Sequence, residues 1–350
     1  MPTIAAPAMQ TLAQHIFTAA GTPPDLATIV ADHLISASLA GHDSHGVLRI
    51  PAYVDSIRSG QVAATARPTV LQERPTSALI SGNWGFGHVT ATFATDLAIR
   101  KAKEQGVAVV GIVACNHIGR VGEYPTRAAA QGLASFVTVG GLNGDQVTPF
   151  GGREARLVTN PVSFGFPTGS RPPFLVDFAT SAVAGGKIML ARAKGEALPE
   201  GLLLDRDGQP TTDPDWYFQG GAILPVGGHK GYGLSMVVGL FGALLTHAKA
   251  HSGGHRETGR YTISEAGTFI LTVDAALFGP LDELIRDVDA ALGQIKDTPP
   301  APGADEVLIP GEPEHRSRER RLAEGIPVPD STWTEIEDLA GQFGIALPSR

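Results

Sequence analysis

Cysteine is nearly absent from this sequence: Cys115 is the single one in 350 residues. That excludes an internal disulfide and any metal site built from several thiolates, and it fits a reducing compartment. Cationic charge is also in deficit, with 27 Lys and Arg against 35 Asp and Glu and a formal net charge of -8. A nucleic acid or an anionic membrane needs clustered Lys and Arg, so neither is an expected partner, and small anions must be caught by local sites. The opening segment MPTIAAPAMQ has no basic stretch followed by an apolar run, so no secretory leader is expected. The most apolar stretch, 234–245, is too short to span a bilayer and too rich in glycine. Together these absences lead to the expectation of a cytoplasmic protein. No internal repeat or low-complexity tract is visible, and the 43 Gly and 26 Pro fall mainly at turns between short elements.

The remaining composition, 43% hydrophobic and 18% charged, is that of a globular chain long enough for about two domains. Thr22-Pro-Pro-Asp25 reads as a helix start, with Thr22 as cap, Pro23 at the first position and Gly41 as the stop. A second helix is expected to follow His45 and to end at Gly60. Extended structure is expected over 70–80, a helix over 91–105 closed by Gly106, and a strand covered on both faces over 107–113. Further along, 124–131 reads as helix, 133–139 and 174–178 as strands, 181–194 as helix, and 231–247 as a helix apolar all round and hence buried. A strand over 268–273, an amphipathic helix over 281–295, a linker over 297–305 and a charged helical tail over 316–343 complete the pattern. The tail is expected to pack on the N-terminal helices. Alternating strands and helices make the fold class α/β.

Ser81-Gly-Asn-Trp-Gly-Phe-Gly-His88 invites a dinucleotide-binding reading but fails it. Gly82, Gly85 and Gly87 stand in the reverse of the G-x-G-x-x-G order, and the next strand ends in Ala114-Cys115-Asn116 with no carboxylate. His42-Asp-Ser-His-Gly-Val-Leu-Arg49 is more useful. On a helix from Ser44, His45 and Arg49 would face the same way, one exchanging a proton near neutral pH and the other forking onto a carboxylate. The plain alternative is a solvated helix start capped by Asp43 or Ser44. His117 lies just past a strand end, where α/β sheets place ligands, and is a second candidate acid or base. A helix opening at Thr180 or Ser181 would offer free N–H groups to a phosphate or ribose, and Gly227-Gly-His-Lys-Gly-Tyr-Gly233 makes the same offer with a Lys. His247, His251 and His255 recur every four residues, but Gly253 and Gly254 interrupt them and no acid or Cys completes a set, so no metal site is expected.

In one order along nearly the whole chain stand Asp43-Ser-His-Gly46 with Arg49 and Pro51-Ala-Tyr53, Asn116-His-Ile-Gly119, Pro149-Phe-Gly-Gly152 and Thr159-Asn-Pro-Val-Ser-Phe-Gly165. They are followed by Asp177-Phe-Ala-Thr-Ser181, Gly186-Lys-Ile188, Gly208-Gln-Pro-Thr-Thr-Asp-Pro214, Gly228-His-Lys-Gly-Tyr-Gly-Leu234 and Pro310-Gly-Glu312. This set resembles the malate/L-lactate dehydrogenase family that is unrelated to the Rossmann-type lactate dehydrogenases. The resemblance implies a homodimer with a helical domain from both chain ends (1–70 with 300–350), an α/β core domain (71–120 with 262–299) and an α/β cofactor-binding domain (121–261). It also implies NAD or NADP as cofactor. Members act on malate, lactate, sulfolactate, ureidoglycolate or diketogulonate, and one branch reduces cyclic imino acids, so the fold does not select the substrate. Two departures stand out: Gly141-Leu-Asn-Gly-Asp-Gln146 replaces the Asn-Ser-Asp-Pro of many members, and Gly201-Leu202 replaces their Gly-Trp.

The expected chemistry is hydride transfer at C2 of a small 2-oxo or 2-hydroxy acid. Arg49 would hold the carboxylate, His45 would exchange the proton of the C2 oxygen, and His117 would stand in reserve. Asn160 is a candidate contact to substrate or nicotinamide. Asp177, Thr180, Ser181, His229 and Lys230 are candidates for the cofactor, with Gly311 and Glu312 closing over it. The alternatives are a cyclic imino acid reductase that keeps the Arg49 clamp, a nucleotide-binding protein without catalysis, and a metal-dependent hydrolase on His42, His45 and His117.

Overall fold

The computed structural model describes residues 1–252 and 265–348. Elements are numbered in chain order. Seven strands form one mixed sheet: β2 (Thr69–Arg74), β3 (Ser77–Ser81), β4 (Val107–Val113), β5 (Leu133–Gly140), β6 (Pro161–Phe166), β7 (Phe174–Ala179) and β11 (Gly267–Asp274), in the order β2-β3-β4-β11-β5-β6-β7. Only β3 and β4 run parallel; β11 returns late in the chain and inserts antiparallel between β4 and β5. A Rossmann sheet is built from parallel strands with helical crossovers, so this topology agrees with the failed glycine fingerprint. Helices α4 (Gly87–Gln105) and α5 (Glu123–Ala129) cover one face, burying Leu97, Val110, Ile112, Val137 and Ile270. Gly106 ends α4 at φ +83°, as its position after the apolar periodicity predicts.

Both chain ends build the helical layer. Helices α1 (Ala6–Ala19) and α3 (Ile50–Arg58) meet α10 (Asp330–Phe343), α2 (Pro24–Leu39) packs on α1, and β1 (Thr3–Ile4) pairs with β12 (Ile326–Pro327). Their shared core holds Met9, Ile16, Phe17, Leu34, Trp333 and Ile336, each such burial contributing about 1.5–3 kcal/mol. Thr22 does not cap α2: Pro23 is the N-cap residue and Pro24 opens the helix, while the Thr22 hydroxyl is buried with no hydrogen-bond partner among the described residues. The C-terminal tail is two helices, α9 (Glu312–Glu324) and α10, because Gly325 at φ +95° turns the chain into β12.

A third cluster, with Val147, Leu157, Ile188 and Tyr217, lies under α6 (Gly185–Lys194) and a small sheet of β8 (Leu203–Leu204), β9 (Pro210–Thr211) and β10 (Ala222–Ile223). Helix α7 (His229–Gly239) follows and runs into a π-helical turn, Leu240–Leu244. Two expectations fail here. Helix α6 opens at Gly185 and not at Ser181, because Ser181 bridges Pro225 and the Ala182 amide donates to Leu224 O, so this stretch is still paired. Nor is 231–247 buried all round: Val237, Leu240, Phe241, Leu244 and Leu245 are exposed at helical spacing, while Val238, Gly242 and Ala243 are buried. The helical run 229–251 has the length and composition to cross a bilayer, yet its inner side is packed on the sheet. The predicted helix over 281–295 is α8 (Leu281–Lys296), which has no buried residue. It stands off the sheet across an apolar groove of about 730 Å³ lined by Phe136, Phe164, Phe174, Leu271, Val288 and Leu292.

Candidate active site

Helix α2 ends in a Schellman turn: Gly41 lies at φ +85°, its amide donates to Ser38 O, and the His42 amide donates to Ala37 O. The chain then makes two short 3₁₀ turns, Asp43–His45 and Val47–Arg49, instead of the expected helix from Ser44. Gly46 is the break. A Cβ there would lie 2.0 Å from the Ser38 hydroxyl, which accepts the Val47 amide at 3.0 Å. So the turn is pressed onto α2, and neither Asp43 nor Ser44 caps a helix through its side chain. Asp43 instead accepts both terminal nitrogens of Arg321. Arg49 Nε donates to Ser44 O at 2.7 Å, the Ser44 hydroxyl lies 3.0 Å from His45 Nδ1, and no ion pair with an acid is found for Arg49 among the described residues. The pair His45 and Arg49 therefore lies on two successive small turns joined at Gly46, not on one helix face.

His117 reaches the same place from the sheet. Past β4, Ala114 at φ +48° turns the chain, and Asn116 Nδ2 ties it to Gln61 O, Trp84 O and Gly85 O. The glycines of the failed fingerprint have their reason here: a Cβ on Gly87 would sit 2.2 Å from Asn116 O. The His117 ring faces that of His45 with centroids 5.4 Å apart and planes inclined by 22°. Behind it stand Tyr53, His88 and His33. The Tyr53 hydroxyl is 2.8 Å from His117 Nδ1 and 3.4 Å from His88 Nε2, the His33 and His88 centroids are 4.7 Å apart, and the Arg120 amide donates to His33 Nε2 at 2.9 Å.

Burial dominates the electrostatics of these imidazoles. It lowers His45 to about 4, helped by Arg49, His42 and Arg120, and lowers His33 to about 3, helped by Arg120 and His45. His88 and His117 are likewise held well below the ordinary histidine value, by burial first. All four rings are neutral at pH 7.

The cofactor candidates divide. Asp177 is close by: its carboxylate accepts the Gly122 amide at 2.8 Å and faces Arg120 Nε at 3.6 Å, both side chains being buried. Burial raises the Asp177 carboxyl more than Arg120 lowers it, since 3.6 Å is longer than a charged hydrogen bond. Neither Nε nor Nη2 of Arg120 has a hydrogen-bond partner among the described residues. Thr180 and Ser181 are not helix caps; Thr180 Oγ1 donates to Thr159 O and Asn160 O, and Ser181 Oγ to Val183 O. Asn160 is fully buried at φ +42°, its Oδ1 accepting Gly141 N and its Nδ2 donating to Gly141 O, Ser235 O and Ser235 Oγ. Its Nδ2 hydrogens are committed to these partners, so the buried amide offers no free donor to a substrate. Glu312 accepts the Ile309 amide at 3.2 Å and pairs with Lys296 and with Arg171, latching α9 to α8. Gly311 is required because a Cβ would meet Pro173 O at 2.7 Å.

His229 and Lys230, in contrast, are exposed at the start of α7, behind Gly227 and Gly228 at φ +59° and +65°. The Val226 amide donates to Thr180 O, so this start lies beside the end of β7. Helix α6 opens nearby without a side-chain cap, and a Cβ on Gly186 would come 3.5 Å from Ser44 Cβ, which sets Gly185, Gly186 and the exposed Lys187 against the turn that carries His45. Two helix starts with two Lys side chains and small residues between them fit an elongated dianion such as a dinucleotide. Of the three histidines considered for a metal, His255 lies outside the described residues, and no group of three metal-ligating side chains occurs among those described.

Composition and spacing gave no sign of Tyr53, His33, His88 or Arg120 as neighbours of the site. Tyr53 does lie within the Pro51-Ala-Tyr53 motif, but four separate elements bring these residues together, so no short-range pattern could show it.

Comparison with known proteins gives the family and the fold. The malate/L-lactate dehydrogenase family profile matches residues 4–337. The chain belongs to that family. It is 37% identical to the L-sulfolactate dehydrogenase of Methanothermobacter thermautotrophicus over 95% of both chains. Malate dehydrogenase from Pyrococcus horikoshii superposes with a TM-score of 0.87 at 32% identity, over 99% of this chain and 97% of that one. The Δ1-piperideine-2-carboxylate reductase of Pseudomonas syringae superposes with a TM-score of 0.81 at 31% identity, over 97% and 100%. As a family member the chain is a 2-hydroxy acid dehydrogenase that works with a nicotinamide cofactor.

Proposed function

We propose that this dehydrogenase interconverts a small 2-hydroxy acid and its 2-oxo acid in the cleft where the His42–Arg49 turn meets the ends of β4 and β7. The observation that carries the reading is the stacked, uncharged pair His45 and His117 beside Arg49. A guanidinium without an acidic partner is a ready fork for the substrate carboxylate, contributing about 1.5–3 kcal/mol of binding and orientation. A neutral imidazole is the form that takes the hydroxyl proton during oxidation, and the returning proton leaves the same atom during reduction. His45 exchanges this proton and His117 donates a hydrogen bond to the same oxygen. When bound, a nicotinamide supplies or accepts the hydride at C2. Lys187, His229 and Lys230 with the starts of α6 and α7 would hold the dinucleotide, and Asp177, paired with Arg120, would be a further contact.

The finer assignments are also proposals. Malate and sulfolactate are the first acids to test, with NAD and NADP each as partner. The exposed stripe Val237, Leu240, Phe241, Leu244 and Leu245 supports a homodimer. The single, half-buried Cys115, with no second cysteine to pair with, supports a cytoplasmic enzyme. The division into a helical domain (1–70 with 300–350), a core domain (71–120 with 262–299) and a cofactor domain (121–261) is also a proposal, supported by the cluster that both chain ends share and by the separate cluster of Val147, Leu157, Ile188 and Tyr217, while the cluster on the sheet runs across the boundary at 120 to include Val121, Tyr124, Leu133 and Val137.

A second reading, reduction of a cyclic imino acid, is favoured by the absence of a charged imidazole, since an iminium already carries its proton. Absorbance at the reduced-nicotinamide band, read for NADH and NADPH against a panel of 2-oxo acids and piperideine-2-carboxylate, tests both. Turnover with a 2-oxo acid supports the main reading; turnover only with the imine replaces it.

A further inference from the structure

Tyr53 has no part in the chemistry above, yet two donors meet on one nitrogen beside it. The Tyr53 hydroxyl lies 2.8 Å from His117 Nδ1, and the Gly119 amide nitrogen lies 3.3 Å from the same atom. An amide N–H can only donate, so Nδ1 must present its lone pair and the ring proton belongs on Nε2. Nε2 is not among the buried unpartnered atoms, and the half-buried ring faces His45. Tyr53 is itself well fixed. It projects from α3 with its ring edge-on to Phe86 and His88, and its oxygen has His88 Nε2 as second neighbour at 3.4 Å. One hydroxyl can thus donate to His117 while accepting from His88.

We propose that Tyr53 is a positioning residue which, with the Gly119 amide, locks His117 in the tautomer protonated on Nε2 and turns that N–H toward the C2 oxygen of the substrate. The inference rests on the proposed placing of the substrate beside His45 and His117. It also divides the work between the two rings. A neutral imidazole that donates through Nε2 stabilises charge growing on the oxygen and keeps its own proton; the proton exchanged with substrate belongs to His45, which has no such lock on both sides. The groups that act on His117 are Arg49 and His45 from the turn, Tyr53 from α3, His88 from α4 and His33 from α2, and none of them is an acid that would draw a second proton onto the ring.

The test uses the full-length protein labelled with ¹⁵N, with His117 assigned by comparison with His117→Asn, and steady-state kinetics of Tyr53→Phe, which keeps the ring packing. The expected result is a lone-pair type shift at Nδ1 of His117 in the unmodified protein. In Tyr53→Phe, kcat should fall about ten-fold with KM within about two-fold, and His117 should take up its proton at higher pH because a donor that favoured the neutral ring is gone. A protonated Nδ1 in the unmodified protein would overturn the proposal, as would a Tyr53→Phe protein altered only in thermal stability. Full turnover by His117→Asn would overturn the substrate placement instead; the nitrogen shifts, which need no substrate, tell the two failures apart.

Discussion

The Asp43 carboxylate accepts both terminal nitrogens of Arg321, a residue 278 positions away on α9, and Arg321 also donates to Ser38 O. Helix α9 therefore clamps the turn that carries His45 and Arg49. Arg321→Ala removes the clamp and leaves a half-buried carboxylate unpaired. A loss of about 1–3 kcal/mol of stability is expected, with a raised KM because the Arg49 fork loses its support. Chemical denaturation and kinetics of the same variant check both, and an unchanged KM would confine the clamp to stability.

Substitutions at the two central residues should separate in kinetics. His45→Ala is expected to lower kcat by about 10² to 10⁴ with little change in KM, and Arg49→Ala to raise KM by about 10- to 150-fold with a smaller effect on kcat. Steady-state rates on the acid identified in the panel give the answer. The assignment fails for either residue whose variant keeps native constants.

Acid stability follows from the buried imidazoles. Folding holds His45 at about 4 and His33 at about 3, below the ordinary 6.5, so between those values the unfolded chain binds more protons than the native one. The stability these neutral rings confer is complete above about 6.5 and is lost as pH falls toward the folded values. Thermal unfolding midpoints should be level with respect to these groups above that pH and fall steeply below it. His33→Phe, which cannot charge, should reduce the slope. A slope unchanged in that variant would point to the carboxylates instead.

Asn160→Ala separates a structural amide from a cofactor contact. The substitution orphans Gly141 N and Ser235 Oγ in the interior, at about 1–3 kcal/mol for each unpartnered group. The melting temperature should drop clearly while nucleotide affinity of the folded fraction, read by fluorescence titration, stays native. A selective loss of nucleotide binding would restore the role expected from the sequence.

The exposed stripe on the π-helical turn can be tested by charge. Leu244→Lys with Leu245→Glu should convert a dimer into a monomer in light scattering if this stripe is the interface. An unmodified protein that is already monomeric would remove the dimer from the proposal.

Much of this molecule was legible in its sequence. The stops at Gly41 and Gly106, the strands 107–113 and 133–140 and the helix 281–296 follow from glycine's access to positive φ and from hydrophobic period, both of which act within a few residues. The α/β class and the family follow from motifs in order. Near neighbours in the chain also brought His45 and Arg49 together, although the helix expected to do so is two 3₁₀ turns. Other features were decided only by tertiary structure. Whether the Asn160 amide is free, whether Ser181 starts a helix, and whether 231–247 is buried depend on Gly141, Pro225 and the far side of the sheet. The hydroxyl that meets His117 Nδ1 likewise comes from Tyr53, 64 residues earlier. Local sequence selects backbone conformation because the relevant clashes and hydrogen bonds are local. The state of a buried polar group depends instead on which distant groups exclude water from it and which offer it a partner, and only the folded chain contains that information.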